Sequence, residues 1–393
     1  MSRIDDLIAD LCPDGVSFLT VREIASYVRG VTYSKTDEQA EGPIHVLRSN
    51  NITLTSNTLN FDDVKTVSSS TKVRPDQWLK ANDILMSAAS GSKAHVGKVA
   101  FICNDIDYCF GGFMAVLRVQ RQLQPRFLFH LLVGGTFSEY LAGALSSTTI
   151  NNLNASIMGA FRIPVPPLEV QREIVRVLDT FAELEAELEA ELEARKRQYS
   201  HYRDSLLAFD ASGVPWMTLG EVAFIGTGSR NTNEAVEKGE YSFFVRSQAP
   251  LAIDTYEFDE VAIITAGDGV GVGKVFHFVD GKYALHQRAY RIRVDSDTLL
   301  PKFLFHFIRR DFARYLSTTS VHASVTSLRK PMFERYPVPV PALTEQSRIV
   351  GILDSFDALV NDLSIGLPAE LAARRKQYEH YRDRLLTFEE LPA

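Results

Sequence analysis

The chain has little cysteine. Cys12, Cys103 and Cys109 are odd in number and form no CxxC pair, which excludes a disulfide framework or a zinc site and fits a reduced cytoplasm. The three thiols read as inert or semi-buried. Long hydrophobic runs are also missing: nothing approaches the ~18 uninterrupted apolar residues of a membrane span, and the opening MSRIDDLIADLCPDG has no basic start followed by an apolar stretch. Neither export nor membrane insertion is expected, and the localisation expected is cytoplasmic. A basic excess is missing too, the net charge being −7. By region, residues 1–168 carry 15 basic and 15 acidic side chains and residues 212–337 carry 15 and 14, whereas residues 169–211 carry 6 and 11 and residues 338–393 carry 6 and 9. Arg288 to Arg335 nevertheless holds ten Lys/Arg against four Asp/Glu, and Lys65 to Lys98 six against two. Local basic surface is what phosphate binding needs, so the global sign does not exclude DNA.

Catalytic signatures are missing as well. Phe224-Ile225-Gly226-Thr227-Gly228 resembles the FxGxG loop of adenosylmethionine enzymes, but no [DNS]PP[YF] tetrad follows anywhere. Its counterpart Ser26-Tyr27-Val28-Arg29-Gly30 keeps only the last glycine, so Phe224 to Gly228 reads as a turn rather than a cofactor loop. Gly269 to Lys274 is spaced GxxxGK, one residue short of a P-loop, and Val275 stands where the magnesium-binding Ser/Thr belongs. This stretch and Gly91 to Gly97 read as tight hairpins before a strand. Pro75-Asp76 has no following ExK, and the nine histidines contain no HxxxH or HExxH. His130/His306 and His201/His380 recur in apolar patterns as packed or capping residues. No catalytic, cofactor-binding or metal-binding residue is expected in this chain.

What is present is a duplication. Ile163 to Phe181 (IPVPPLEVQREIVRVLDTF) returns as Val338 to Phe356 (VPVPALTEQSRIVGILDSF) with ten of nineteen positions identical, and Arg195 to Phe209 returns as Arg374 to Phe388 with ten of fifteen. A period near 175 residues exceeds the ~20–50 of solenoid units. Each copy reads as a globular head followed by a helical arm. The prolines opening each arm fix an extended entry, and apolar residues at steps of three and four, from Ile174 through Leu178, Phe181, Leu184, Leu188 and Leu192, predict one face of a helix from about Glu169 to Phe209. In the second arm Gly366-Leu367-Pro368 should break or kink the helix. Two single-striped arms can pack as an antiparallel pair, with a head at each end.

The heads match at Val46-Leu47-Arg48-Ser49 and Phe244-Val245-Arg246-Ser247, offset by 198, at Gly97-Lys98-Val99 and Gly273-Lys274-Val275, and at Pro125 to His130 and Pro301 to His306. Val99–Ile102, Ala115–Val119, Val261–Thr265 and Tyr290–Val294 predict strands, and Phe127–Val133 and Phe303–Phe312 helices. The fold class expected is α+β: two similar α/β heads with twisted, mainly antiparallel sheets, separated by a long antiparallel helical pair with pseudo-two-fold duplication. Boundaries fall at 1–162 (first head), 163–211 (central helical spacer), 212–337 (second head) and 338–393 (C-terminal helical region).

A proline-led IPVPPLExQREIVxxLD segment followed by a helix ending in QYxHYRDxLLxF, present twice in order, resembles the specificity subunits of type I restriction-modification systems over essentially the whole chain. The exact AELE triplet of Ala182 to Glu193 looks like the tetrapeptide spacer repeats of that family. The resemblance implies two target recognition domains that bind double-stranded DNA, one half-site each. It implies docking of two methyltransferase subunits and two restriction-translocation subunits, which would carry the S-adenosylmethionine, ATP and Mg²⁺ chemistry. Candidate DNA-contacting residues are Arg48, Asn50, Asn51, Lys72, Arg74, Ser90, Ser92, Lys93 and His95 in the first head, and Arg246, Gln248, His286, Gln287, Arg288, Arg329 and Lys330 in the second. Arg48 and Arg246 have a structural reading beside the functional one, each holding a loop in its head. The repeated arm-end residues Gln198, His201, Arg203 and Asp204, with Gln377, His380, Arg382 and Asp383, are the candidates for partner docking, because two equivalent surfaces suit two copies of one partner. A stand-alone bipartite DNA-binding regulator is the alternative, and a scaffold that never touches DNA the third reading.

Overall fold

A computed structural model describes residues 3–54, 56–91, 95–120, 122–145, 152–210, 213–319, 327–362 and 364–392. It divides into two compact units, Met1–Glu187 with Leu371–Ala393, and Leu188–Glu370. Each unit therefore takes in helical segments from both arms.

The first head runs α1 (Arg3–Leu11), β1 (Ser17–Thr20), α2 (Val21–Ile24), β2 (Ala25–Arg29), β3 (Ile44–Leu47), β4 (Lys65–Val67), β5 (Ile84–Ser87) and β6 (Val99–Phe101). It continues through β7 (Cys109–Phe110), β8 (Met114–Val119), α3 (Pro125–Val133), α4 (Gly135–Leu145), α5 (Ala155–Ala160) and β9 (Arg162–Val165) into the 39-residue α6 (Leu168–Leu206). The second head runs β10 (Trp216–Thr218), α7 (Leu219–Val222), β11 (Ala223–Thr227), β12 (Tyr241–Phe244), β13 (Leu251–Ile253), β14 (Phe258–Ala266) and β15 (Phe276–Leu285). Then come β16 (Ala289–Val294), α8 (Pro301–Thr319), α9 (Lys330–Glu334) and β17 (Pro337–Pro339), followed by α10 (Leu343–Asn361) and α11 (Leu367–Leu385).

Both heads close the same way. β1 pairs antiparallel with the proline-bearing β9, and β10 with β17. Proline is tolerated in such two-stranded edges because its missing donor can face away from the ladder. At the end of β1 and of β10 a reciprocal capping box follows: Glu23 accepts from the Thr20 amide and hydroxyl, and Glu221 from those of Thr218.

In the second head one six-stranded sheet has the order β11-β16-β14-β15-β12-β13. In the first head residues 102–108 separate β6 from β7, and the same surface is divided into sheets β2-β8-β5-β6 and β4-β3-β7. Among the described residues the strand ladders are antiparallel except β3–β7 and β12–β15. The expected α+β class with mainly antiparallel sheets is what the chain adopts. The FxGxG-like stretch is a correction: Phe224 to Thr227 lie within β11, opposite Tyr290 to Arg293 of β16, so it is a strand and not a turn. The GxxxGK stretch is a turn between β14 and β15, with Gly269 and Gly273 at φ +78° and +71°, where a side chain would be strained.

Strand register also corrects the alignment of the heads. Ile44 lies opposite Val67 and Leu47 opposite Phe110, while Tyr241 lies opposite Ile253 and Phe244 opposite Leu285. Leu47 therefore corresponds to Phe244 and Arg48 to Val245, an offset of 197. The Arg-Ser echo at Arg48 and Arg246 lies one residue out of the structural register.

The arms obey the stripe. In the first unit Ile174, Leu178 and Leu385 are buried in one core with Phe127, Leu128 and Phe161. Phe181 stacks on Tyr381, and Glu185 pairs with Arg375 at 2.6 Å, which sets the start of α6 antiparallel to α11. In the second unit Tyr199 and Tyr202 stack on Phe356 of α10, and the Tyr199 hydroxyl donates to Asp357 at 3.1 Å. Leu184 departs from the predicted seam and is 43% exposed. The second arm is broken rather than kinked. Asp362 accepts from the amides of Ser364 and Ile365, the Gly366 amide donates to the Asp362 carbonyl, and Pro368 lies in the first turn of α11, where its missing N–H is harmless.

A duplicated glutamine ties each head to its arm. Gln171 donates to the carbonyls of Pro166 (2.8 Å) and Gln122 (3.3 Å) and accepts from the Gln124 amide (2.8 Å). Gln346 donates to those of Pro341 and Thr298 and accepts from the Leu300 amide. Both are fully buried. Each answers a carbonyl that the proline-rich entry leaves outside any ladder.

Candidate nucleic-acid interface

Within each head, separate loops come together at one end of the sheet, and the backbone there follows the same pattern in both heads. In the first head the Ala88 amide donates to the Phe113 carbonyl (2.9 Å), the Leu153 amide to the Ala88 carbonyl (2.7 Å) and the Met114 amide to the Gly111 carbonyl (2.7 Å). In the second head Gly267 donates to Arg288 (2.9 Å), Leu328 to Gly267 (2.7 Å) and Ala289 to His286 (2.9 Å). Bridges between Ala89 and Asn152 and between Asp268 and Ser327 complete the match. A four-residue turn, Gly111 to Met114 and His286 to Ala289, thus leads into β8 and β16.

On this common frame the second head carries charge. Asp268 receives Arg246 at 2.8 Å and Arg288 at 3.2 Å. Burial raises the Asp268 pKa, but the two guanidinium groups outweigh it and hold the carboxyl below its ordinary range. Two cations on one carboxylate leave a net positive cluster at the surface, with both arginine side chains substantially exposed. Gln287 beside them donates to the Asn231 side chain. His286 is buried, its Nδ1 accepting from the Arg288 amide at 3.0 Å. Burial and the nearby Arg246 press its pKa down, so it supports the turn rather than offering an exposed contact. Gln248 is exposed. Arg329 and Lys330 are exposed at the start of α9, Lys330 lying 3.6 Å from Glu334 and over the Phe224 ring.

In the first head the candidates disperse. Arg48 pairs with Asp63 at 2.8 Å, Asn50 donates to the Asp63 carboxylate and carbonyl, and the fully buried Asn51 donates to the carbonyls of Asn60 and Asp63 and accepts from the Arg48 amide. These three residues clamp a loop, which is the structural reading of Arg48, and Asn51 has no surface to offer. Arg74 is paired with Asp76 in its own turn (2.9 Å), whereas Lys72 is exposed and makes no bond among the described residues. Ser90 and His95 are partly exposed. Ser92 and Lys93 lie outside the described residues. Phe113, which no sequence motif singles out, is 72% exposed on the turn before β8. The glycine pair just before a predicted strand marks only the turn.

At the arm ends, His201, Asp204, Gln377, His380 and Asp383 are exposed and Gln198 and Arg203 partly so. Arg382 is a correction. It is only 9% exposed, with its guanidinium over the Tyr378 ring and against Asp383, because the antiparallel packing turns that face of α11 inward. Among the described residues no three His, Cys, Asp or Glu side chains converge as a metal-binding set, and no single helix is long and apolar enough to cross a membrane. Cys12 and Cys109 are buried and Cys103 exposed, all as free thiols.

Comparison with known proteins fits this duplicated frame. Residues 13–194 and 213–373 match the type I restriction modification DNA specificity domain. A type I restriction enzyme specificity subunit of Escherichia coli is 33% identical over 282 residues, 64% of this chain and 68% of that protein. A putative one of Haemophilus influenzae is 29% identical over 334 residues, 75% and 84% of the two chains. The crystal structure of a type I restriction-modification S subunit from M. genitalium shares the fold, with a TM-score of 0.60 at 15% identity, covering 95% of this chain and 96% of that one. Two matches to one DNA specificity domain, covering both heads and most of both arms, place the chain in the type I restriction-modification specificity family.

Proposed function

We propose that this chain is a non-catalytic specificity subunit working in the cytoplasm. It binds a bipartite DNA sequence, one half-site per head, and docks two methyltransferase subunits and two restriction-translocation subunits. The supporting observation is the duplicated turn: one backbone frame in both heads, carrying different exposed side chains. A shared scaffold with unlike readers suits two different half-sites. In the second head Arg246 and Arg288 are the proposed base or phosphate contacts, with Gln248, Gln287, Arg329 and Lys330 around them. In the first head Lys72, Ser90, Ser92, Lys93 and His95 are retained as proposed contacts, while Arg48, Asn50 and Asn51 position their loop. The exposed arm-end residues His201, Asp204, Gln377, His380 and Asp383 are the proposed docking contacts. S-adenosylmethionine, ATP and Mg²⁺ would be held by the partners.

The test is methylation with the chain alone and with the methyltransferase from its own genome. The pair is expected to methylate one gapped motif, and the chain alone to transfer nothing. Methyl transfer by the purified chain, or the absence of any gapped motif with the partner, would overturn the proposal. Gapped-site binding without any co-purifying methyltransferase would favour a stand-alone regulator.

A further inference from the structure

Phe113 and Arg288 occupy the same place. β8 and β16 run in matching register against β2 and β11, Ala25 facing Val119 as Ala223 faces Val294. Counting back along both strands, Phe113 and Arg288 are the third residues of equivalent four-residue turns. Their carbonyls accept equivalent amides, Ala88 and Gly267, at 2.9 Å in each head, and the Ala89 amide adds a second bond to Phe113 at 3.0 Å. The main chain is therefore fixed while the side chains project. The Phe113 side chain is 72% exposed and makes no ring or cation contact among the described residues. Ahead of it Gly111 and Gly112 have no side chains, and the Arg29 guanidinium holds the Gly112 carbonyl at 2.7 Å, so Phe113 alone projects from that turn. The Arg288 side chain is 63% exposed, and only one of its nitrogens engages Asp268.

A lone exposed phenylalanine means little. Here its structural counterpart is a half-free guanidinium in a net cationic cluster. The two chemistries are those that read base edges in the major groove, an apolar face for the thymine methyl and a guanidinium for guanine O6 and N7. We propose that Phe113 and Arg288 are equivalent specificity-determining residues, Phe113 contacting a thymine methyl in the first half-site and Arg288 a guanine in the second. This rests on the DNA-reading function proposed above.

The experiment uses the complex with its methyltransferase partner. The methylated motif is mapped genome-wide for wild type, Phe113→Ala, Phe113→Leu, Arg288→Ala and Arg288→Lys, and binding is measured on duplexes carrying the wild-type motif. Phe113→Ala should relax a thymine position in one half-site only and weaken binding about tenfold, with Phe113→Leu retaining most of it. Arg288→Ala should relax a guanine position in the other half-site, and Arg288→Lys should restore it only in part. Replacing thymine by uracil in the first half-site removes only methyl groups, and should weaken wild type but not Phe113→Ala. Both side chains are exposed, so thermal unfolding of the variants should match wild type. A wild-type complex with no gapped motif overturns the DNA-reading function and this assignment together. A gapped motif left unchanged in sequence and affinity by both alanine variants overturns the assignment alone, as does an equal uracil effect in wild type and Phe113→Ala.

Discussion

At the residue scale, two buried histidines anchor the heads to the arms. His130 bonds Asp179 at 2.8 Å and His306 bonds Asp354 at 2.7 Å, each ring only 1% exposed. Burial pushes both imidazole pKa values down, and the hydrogen bonds that the rings donate to the aspartates only partly oppose it. A histidine whose folded pKa lies below its ordinary ~6.5 stays neutral in the native protein. Above about pH 6.5 neither state takes up the proton, so the pair adds no pH dependence. Below it the unfolded chain binds protons that the native chain resists, and stability falls as pH falls. Tm is expected to drop between about pH 6.5 and 5 more steeply in wild type than in the double variant His130→Gln/His306→Gln. The difference reports the imidazoles together with Asp179, whose carboxyl His130 and Arg126 help hold below its ordinary range, and equal slopes would refute it. Repetition in apolar patterns made these histidines legible as packed residues. The loop-holding reading of Arg48 was available beside the functional one, but the role of Asn51 was not legible, because Asp63 and Asn60 reach it through a loop whose path no local pattern dictates.

At the scale of elements, the arms were the most readable part. The 3.6-residue period and the leading prolines act locally, and α6 ends within a few residues of its expected limits. The strand offset was misread because an Arg-Ser echo is a weaker constraint than ladder hydrogen bonds, which fix Leu47 and Phe244 as equivalents. The AELE array is the element with a quantitative consequence. Deleting Ala186 to Glu189 shortens α6 by about 6 Å and turns everything beyond by about 40°, from 1.5 Å and 100° per residue. Glu185, the partner of Arg375, is kept, and the buried Leu192 becomes the neighbour of Leu184 four residues away. DNA rises about 3.4 Å and turns about 34–36° per base pair, so the length change corresponds to nearly two base pairs and the rotation to about one. A one-pair shift in the unspecified gap is the expected outcome, with both half-sites retained. An unchanged gap in the methylome of a fully active deletion strain would reduce the array to a solvated helix.

At the scale of the whole molecule, the duplication does not divide where the sequence repeats. The repeat suggests head plus its own arm, yet each compact unit takes the start of one arm and the end of the other, Phe181 with Tyr381 in the first and Phe356 with Tyr202 in the second. An antiparallel pair of single-striped arms with a head at each end already implies this exchange, whereas the register at which α6 and α11 meet was not legible, because apolar stripes are compatible with many registers. Each head nonetheless has its own core: Phe127, Phe137 and Phe161 lie in that of the first, and Phe312, Phe333 and Tyr336 pack ring on ring in the second. Each also has its own copy of the turn before β8 or β16. A head with an independent core and an independent turn should be exchangeable. Replacing residues of roughly 14 to 160 with the corresponding head of another family member is expected to change only one half of the methylated motif, the other half persisting because Arg246, Asp268 and Arg288 are untouched. Gln171 and the Pro166 carbonyl it holds lie outside the exchanged segment, although the Gln122 carbonyl and Gln124 amide must be matched by the donor head. Methylome mapping of the chimera decides the matter. A folded, active chimera in which both half-sites change would mean that the heads do not read independently.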